Sequence, residues 1–300
     1  MRVDLHTHST ASDGTDPPAT VMRRAAEAGL GVVALTDHDT VAGHAAARGA
    51  LPAGLVLVPG MELSCRASGH SVHLLAYCFD PAHAELAAQC RAITTDRLRR
   101  AQAMVGKLRE LGVDVTWPQV RALAAGGVVG RPHVARAMVE AGAITSPAQA
   151  FTPEWIGAGG RAYVSRYALD PAAAVRLVRD AGGVAVLAHP GAVSRGWEVP
   201  DDLIAELAAT GLAGLEIAHP DHDHAKRRRL TTLAASLNLI ACGGSDDHGS
   251  LTGYRIGQET TAPEAYERLM SMAAGRAAAG TAPTVSEGTA GGNLTGPGEP

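Results

Sequence analysis

Aromatic side chains are nearly missing from this chain: Phe, Trp and Tyr together make up 3% of its 300 residues. At 46% hydrophobic it can still bury a large core, but Ala, Val and Leu must fill it. Cysteine is scarce too. Cys65, Cys78, Cys90 and Cys242 show neither Cys-x-x-Cys spacing nor the density of a secreted disulfide scaffold, and Cys78 and Cys242 sit in or beside apolar runs as small core residues do. No apolar stretch approaches the roughly 18 residues a membrane helix needs, so no membrane partner is expected. Positive charge is not in excess either. A net charge of −4 and a pI of about 6.3 argue against a stable nucleic-acid complex and suit a small anionic substrate. The basic clusters Arg97-Leu98-Arg99-Arg100 and Lys226-Arg227-Arg228-Arg229 are short and read as solvated helix faces. The chain enters a strand from Met1 onward with no room for a signal peptide, so a cytoplasmic location is expected.

What the chain has is short apolar runs that end in metal-ligand residues. The runs are Arg2–Leu5, Val32–Leu35, Leu55–Val58, Val72–Ala76, Val184–Ala188, Gly214–Ile217 and Leu239–Cys242. With them come, in order, His6-Thr7-His8, Asp37-His38-Asp39, Glu62, His73, His189, His219 and Asp246-Asp247-His248. Short apolar runs bounded by Gly or Pro read as buried strands of a parallel sheet covered on both faces. Ala-rich helical stretches separate them: Pro17–Gly29, Pro171–Ala181 with Asp170 as N-cap, Asp201–Thr210 and Ala225–Leu237. Alternation of this kind predicts an α/β fold with right-handed crossovers and a mostly parallel sheet, one strand short of the common eight-stranded barrel. Strand C-termini gather on one face there, so imidazoles and carboxylates would converge on one site.

Between about Pro81 and Arg161 the alternation stops. Helices are expected at His83–Leu111, Trp117–Ala125, His133–Ala141 and Pro147–Ile156, on a βα connection at the functional face, forming a cap. The division is then a barrel from 1–80 and 162–280, an inserted helical cap at 81–161, and a Gly-, Ser- and Pro-rich disordered tail at 281–300.

His6 and His8 lie two apart on a strand and so project to one side, where both can reach one ion. Asp13 follows on the loop that Gly14 turns. Together with Thr36-Asp37-His38-Asp39, Gly60-Met61-Glu62, His73, Ala188-His189-Pro190, His219-Pro220 and Gly244-Ser245-Asp246-Asp247-His248-Gly249, these residues make the chain resemble the polymerase-and-histidinol-phosphatase (PHP) superfamily over Arg2 to about Gly249. Gly130-Arg131-Pro132-His133, Ala162-Tyr163-Val164 and the stretch from Ala181 to Pro190 resemble the subgroup that hydrolyses nucleoside 3′,5′-bisphosphates and trims RNA 5′ ends.

The resemblance implies a distorted (βα)7 barrel holding two or three divalent metal ions. His6, His8, Glu62 and Asp246 would hold one, Asp13, His38 and His248 a second, and Glu62 with His73 and His189 a third. Many relatives have His where this chain has Asp13. The carboxylate favours harder ions, Mn²⁺ ahead of Fe²⁺ or Zn²⁺. Asp37 or Asp39 would accept a hydrogen bond from a ligating imidazole, or Asp39 would cap a helix.

A multi-metal site of mixed nitrogen and oxygen ligands suits phosphate-ester hydrolysis by activated water, with Asp246 and His248 at the reacting centre. Ser245 lacks the turn that would make it a nucleophile. Arg131, at a helix start, is placed to bind a non-scissile phosphate, with His133 assisting. His219 would reach the metal rim, while His222 or His224 would contact phosphate, and His222 would protonate the leaving oxygen. His44, His70 and His83 carry no site role in this reading. The expected activity is release of the 3′-phosphate from a nucleoside 3′,5′-bisphosphate such as adenosine 3′,5′-bisphosphate. The alternative is a 5′-to-3′ exonuclease on short 5′-phosphorylated RNA or DNA. Histidinol-phosphate hydrolysis fits the inserted segment less well. A non-enzymatic PHP module would have lost ligands that this chain keeps.

Overall fold

The computed structural model describes residues 1–124, 126–192, 197–277 and 286–288. Seven strands follow one another around a ring in chain order: β1 (Val3–Asp4), β2 (Val32–Leu35), β3 (Val56–Ala67), β4 (His70–Tyr77), β5 (Val184–Leu187), β6 (Gly214–Ala218) and β7 (Ile240–Gly243). A bridge between Thr7 and Asp247, with the His8 N–H donating to the Asp247 carbonyl at 2.9 Å, brings the ends together. The expected distorted seven-stranded barrel is therefore what forms, lined by Val, Leu, Ala and Ile, with Tyr77 its largest fully buried side chain.

One strand runs against the expectation. Six strands are parallel, but β4 is antiparallel to both β3 and β5. The cause is local. Ser68 and Gly69 both adopt positive φ (48° and 85°), and Ala67 pairs with His70 across them. Positive φ at both central residues is the two-residue hairpin loop whose twist matches its strands. A crossover needs a dozen or more residues; this connection has two.

The reversal relocates the insertion. Tyr77, the last residue of β4, pairs with Gly60 and Val184, at the end of the barrel opposite the ligand-bearing loops. The chain does not leave from the functional face, as the alternation predicts. A 27-residue helix, α3 (Ala84–Glu110), carries it there, a span of roughly 40 Å at 1.5 Å per residue. Helices α4 (Trp117–Leu123), α5 (Arg131–Glu140) and α6 (Pro147–Ala150) follow. The fourth expected helix ends early, at Ala150 rather than Ile156. The far half of α3 and these helices enclose their own core of Met104, Leu108, Val120, Val134 and Met138. The cap meets the site side directly: the Val128 N–H donates to the Ala11 carbonyl at 3.2 Å, on the loop after β1.

Barrel helices α1 (Pro18–Glu27), α7 (Pro171–Asp180), α8 (Asp201–Thr210) and α10 (Pro263–Ala277) begin at or just after a proline, and α9 (His224–Ser236) begins behind Asp223, beside a short α2 (His44–Gly49). Asp170 caps α7 through the Ala173 N–H at 2.9 Å, as expected. Of the segment expected to be disordered, Ser286–Glu287 forms a two-residue strand β8 on Val56 and Leu57 of β3. β4 pairs β3 only from Gly60 onward, which leaves that edge open. Residues 281–285 and 289–300 lie outside the described residues. No described helix is long and apolar enough to cross a membrane.

The basic clusters are only partly solvated faces: Arg99, Arg228 and Arg229 are exposed, but their neighbours are engaged. Arg97 bonds Asp39 and Arg100 is buried, because α3 turns them toward the barrel. Lys226, Arg227 and Arg229 pair with Glu198, Glu259 and, for Arg229, Asp201 as well.

Candidate metal centre

His6, His8, His38, His189, Asp246 and His248 follow strand ends, Glu62 and His73 lie within β3 and β4, and Asp13 sits on the loop after β1. Three residues of these loops sit in strained backbone. Asp39, His189 and Asp246 have φ of 56°, 29° and 49°. Left-handed conformations cost a non-glycine residue about 1–3 kcal/mol and concentrate at functional sites.

Glu62 is the hub and is fully buried. Its Oε2 lies 3.3 Å from His6 Nε2, 3.2 Å from His8 Nε2 and 3.2 Å from His38 Nδ1. Its Oε1 lies 2.6 Å from His73 Nδ1 and 3.0 Å from His189 Nε2. His6 and His8 approach each other at 3.1 Å between Nε2 atoms, and both lie 3.3 Å from Asp246 Oδ1. Four ligands on a tetrahedron about 2.0–2.1 Å from one dication stand roughly 3.3 Å apart. The separations fit.

A second group joins Asp13, His38 and His248 with His8. It is more open: Asp13 stands 3.4 Å from His248 Nε2, 3.8 Å from His38 Nε2 and 3.9 Å from His8 Nδ1. A third triple sets Glu62 and His73 with His38, whereas the expected set has His189; that imidazole still bonds Glu62.

Polar satisfaction supplies the test of whether cations fit. His8 Nδ1, His38 Nδ1 and Glu62 Oε2 are buried and lack hydrogen-bond partners. Each such atom costs about 1–3 kcal/mol if nothing else meets it. Lone pairs facing one another across about 3 Å, from imidazole and carboxylate, are a donor set for divalent cations. Electrostatics agree. Burial works against the Glu62 carboxylate, yet His38, His73 and His6 outweigh it and hold its pKa well below the usual range. Burial also opposes a charged His8, but Asp246 and Glu62 push it up to about 10. The carboxylates that draw a proton to His8 would draw a divalent cation to the same place, displacing the proton on binding.

Residues around the cluster differ from expectation in instructive ways. Asp37 accepts from the Ser9 N–H, the Ser9 hydroxyl and the Ser12 hydroxyl, and so shapes the loop leading to Asp13. Asp39 accepts from the Ser64 N–H and hydroxyl and pairs with Arg97. Neither receives an imidazole proton, and Asp39 caps no helix. That role falls to Glu216, which bonds His6 Nδ1 at 2.9 Å. Sequence reading passed over Glu216 as part of an apolar run; a lone carboxylate inside a buried strand is itself the signal, since it must find a partner.

His219 is fully buried. Its Nδ1 accepts from the Asp221 N–H at 3.0 Å, which leaves Nε2–H to donate to Asp246 Oδ2 at 3.4 Å. It braces Asp246 from a fully buried position at the edge of the cluster. His222 cannot protonate a leaving group from its observed position, because both ring nitrogens serve the backbone. Nδ1–H donates to the Ile217 carbonyl and Nε2 accepts from the Gly191 N–H, each at 3.0 Å. His224 is exposed in the first turn of α9 and is not gathered into the cluster, because Asp223 starts that helix and carries it outward. His133 is buried, and its Nδ1 accepts from the Gly130 N–H at 3.0 Å. Burial, ahead of a smaller opposing field from Asp13, lowers its pKa, so this cap residue stands within electrostatic reach of the second group. His44 bonds the Gly60 carbonyl at 2.8 Å and His83 caps α3, both plain structural roles.

Gly244 makes the close packing testable. A Cβ there would overlap His6 Cβ and stand 2.8 Å from His6 N and 3.0 Å from Glu216 Oε1. Gly244→Ala should destabilise the fold by about 1–3 kcal/mol as overpacking does. A melting curve of the variant superimposing on that of the parent protein would show that β1 yields freely and that the packing is not tight.

A seven-stranded barrel with a buried cluster of imidazoles and carboxylates at its mouth defines a metal-dependent hydrolase. Comparison makes this specific. The PHP domain model matches residues 4–98. The 3′,5′-nucleoside bisphosphate phosphatase of Chromobacterium violaceum is 34% identical over 255 residues, 84% of this chain and 89% of that protein. The 5′-3′ exoribonuclease Rnm of Escherichia coli is 33% identical over 272 residues, 90% of this chain and 92% of that protein. A solved structure from Bifidobacterium adolescentis, described as that of a metal-dependent phosphoesterase, superposes with a TM-score of 0.84 at 33% identity, covering 90% of this chain and 96% of the other. The chain belongs to the PHP family.

Proposed function

We propose that the protein is a metal-dependent phosphohydrolase that removes the 3′-phosphate of nucleoside 3′,5′-bisphosphates. One observation carries the choice of a doubly phosphorylated substrate: guanidinium groups gather between cap and barrel, beside the ligand cluster. Burial, then the charges of Arg131, Arg166 and Arg97, pull Arg100 down to about 9. Burial, then Arg97 and Arg131, pull Arg166 down to about 10. A guanidinium does not give up its proton in a protein, so these shifts express mutual repulsion and lost hydration that a bound anion relieves. Arg97 is partly offset by Asp39. Arg131 begins α5 and lies 5.3 Å over the Phe151 ring.

In this reading His6, His8, Asp13, His38, Glu62, His73, His189, Asp246 and His248 hold two or three divalent ions, Mn²⁺ ahead of Fe²⁺ or Zn²⁺ because of Asp13. Such ions lower the pKa of a bound water and offset charge on the attacking and leaving oxygens. Arg131, on the 81–161 segment, would bind the second phosphate, with His133 beside the second ligand group. His219 keeps Asp246 in register. The exoribonuclease reading uses the same parts, and it is favoured by the Escherichia coli and Haemophilus influenzae relatives named for that activity.

Phosphate release with Mn²⁺ should separate the two. Adenosine 3′,5′-bisphosphate should be turned over faster than AMP, histidinol phosphate or a 5′-phosphorylated RNA pentamer. A small substrate touching one or two cations of the protein gives a shallow salt dependence, whereas a strand neutralised at many phosphates gives a steep one. A steep salt slope together with faster cleavage of longer RNA would overturn the bisphosphate reading in favour of the exonuclease.

A further inference from the structure

We infer that Glu216 is the positioning residue of the metal centre: it fixes the ring of His6 and the turn at His189 so that both present Nε2 to the cluster. The inference rests on the metal-dependent reading above. Glu216 lies in the middle of β6, 1% exposed, and belongs to none of the potential metal-holding groups. Both its oxygens are committed elsewhere. Oε1 is 2.9 Å from His6 Nδ1, and Oε2 accepts the His189 N–H at 2.8 Å.

These two bonds do different things. A carboxylate oxygen accepts from the group it faces: with Oε2 taken by the His189 N–H, Oε1 faces His6 Nδ1 at 2.9 Å as the acceptor. His6 must therefore carry its hydrogen on Nδ1, which leaves Nε2 facing His8, Glu62 and Asp246 at 3.1–3.3 Å. The second bond holds the backbone of His189 at φ 29°, a conformation that needs support from its surroundings. His189 Nε2 then lies 3.0 Å from Glu62 Oε1. One carboxylate thus ties ligands from β1 and from the end of β5 to a single point on β6. The site is built for it: Gly244 alone leaves room beside Oε1. Among the described residues, the other buried carboxylates next to ligands, Asp4, Asp37, Asp39 and Asp247, spend their oxygens on backbone N–H groups, hydroxyls and Arg97.

Glutamine at this position keeps the shape but cannot serve both partners. An amide oxygen turned toward His6 sets its NH₂ against the His189 N–H; turned the other way, it sets NH₂ against Nδ1–H. Loss of an outer carboxylate of this kind weakens metal binding about 10- to 100-fold.

The test compares wild type, Glu216→Gln and Glu216→Asp. Mn²⁺ affinity is read by competition with a chelator, and the His6 ring by long-range ¹H–¹⁵N NMR on Zn²⁺-loaded and metal-free protein. Wild type should show an exchange-protected proton on His6 Nδ1 in both forms. Glu216→Gln should lose or shift that proton and bind Mn²⁺ 10- to 100-fold more weakly, and Glu216→Asp should recover part of both. Wild-type Mn²⁺ affinity with an unchanged Nδ1 signal in Glu216→Gln would overturn the inference. Should the variants fail to fold, wild-type His6 lacking a protected Nδ1 proton would overturn it alone, and its presence would support it. If wild type binds no divalent ion at all, the metal-dependent reading falls, while the Nδ1 proton still reports the Glu216 contact.

Discussion

Glu62→Gln should leave a folded protein with neither its full metal complement nor measurable turnover. Five imidazoles lie within 3.3 Å of this one carboxylate, three around Oε2 and two on Oε1. An amide keeps the size and removes the charge, and its NH₂ must face imidazole nitrogens whichever way it turns. Loss of a carboxylate shared by two of the ligand groups should therefore weaken more than one ion's binding. Metal analysis beside steady-state kinetics decides it. A full complement in the variant, with activity within about tenfold of wild type, or ~1.4 kcal/mol of barrier, would sink the assignment.

Arg131→Ala should behave in the opposite manner, keeping its metals and losing its preferred substrate. Its guanidinium stands at the first turn of α5, near enough to Arg100 and Arg166 to depress both. Removing one desolvated, bidentate anion contact costs about 2–4 kcal/mol, or roughly 30- to 1,000-fold in kcat/KM. A generic monoester such as p-nitrophenyl phosphate has no second phosphate to lose and should fall far less. Equal losses on both substrates would assign Arg131 to the fold or to the chemistry, and would leave the doubly phosphorylated substrate without its main support.

Strand positions and ligand-type residues were legible because burial and chemistry demand the same residues in the same order. Short Val- and Leu-rich runs have to be strands, and imidazoles at their ends have few reasons to be buried together. Strand direction was less legible. The run at Leu55–Val58 reads as a complete strand, yet β3 continues to Ala67. Past Gly60 it alternates Leu63, Ser64, Cys65 and Arg66 toward a Ser68-Gly69 turn, a hairpin signal that the parallel expectation overrode. The histidines after β6 misled for another reason. Spacing shows that His219, His222 and His224 are close in the chain, but only tertiary contacts decide which nitrogen is already taken. His222 is spent on two backbone groups, His219 on Asp246 and an amide, and His224 stands in solvent.

The long helix α3 has a consequence for how the molecule holds together. Leu86 and Ile93, in its first half, pack into the barrel core with Met61, Leu63 and Val175. Ala101, Met104, Val105 and Leu108, in its second half, belong to the core of the cap. One rod is shared by two hydrophobic centres, and Arg97, near the middle, is pinned to Asp39. The cap is therefore not a detachable accessory. Excising it at its sequence borders would strip Leu86 and Ile93 from the barrel core, leaving Met61, Leu63 and Val175 exposed on that wall.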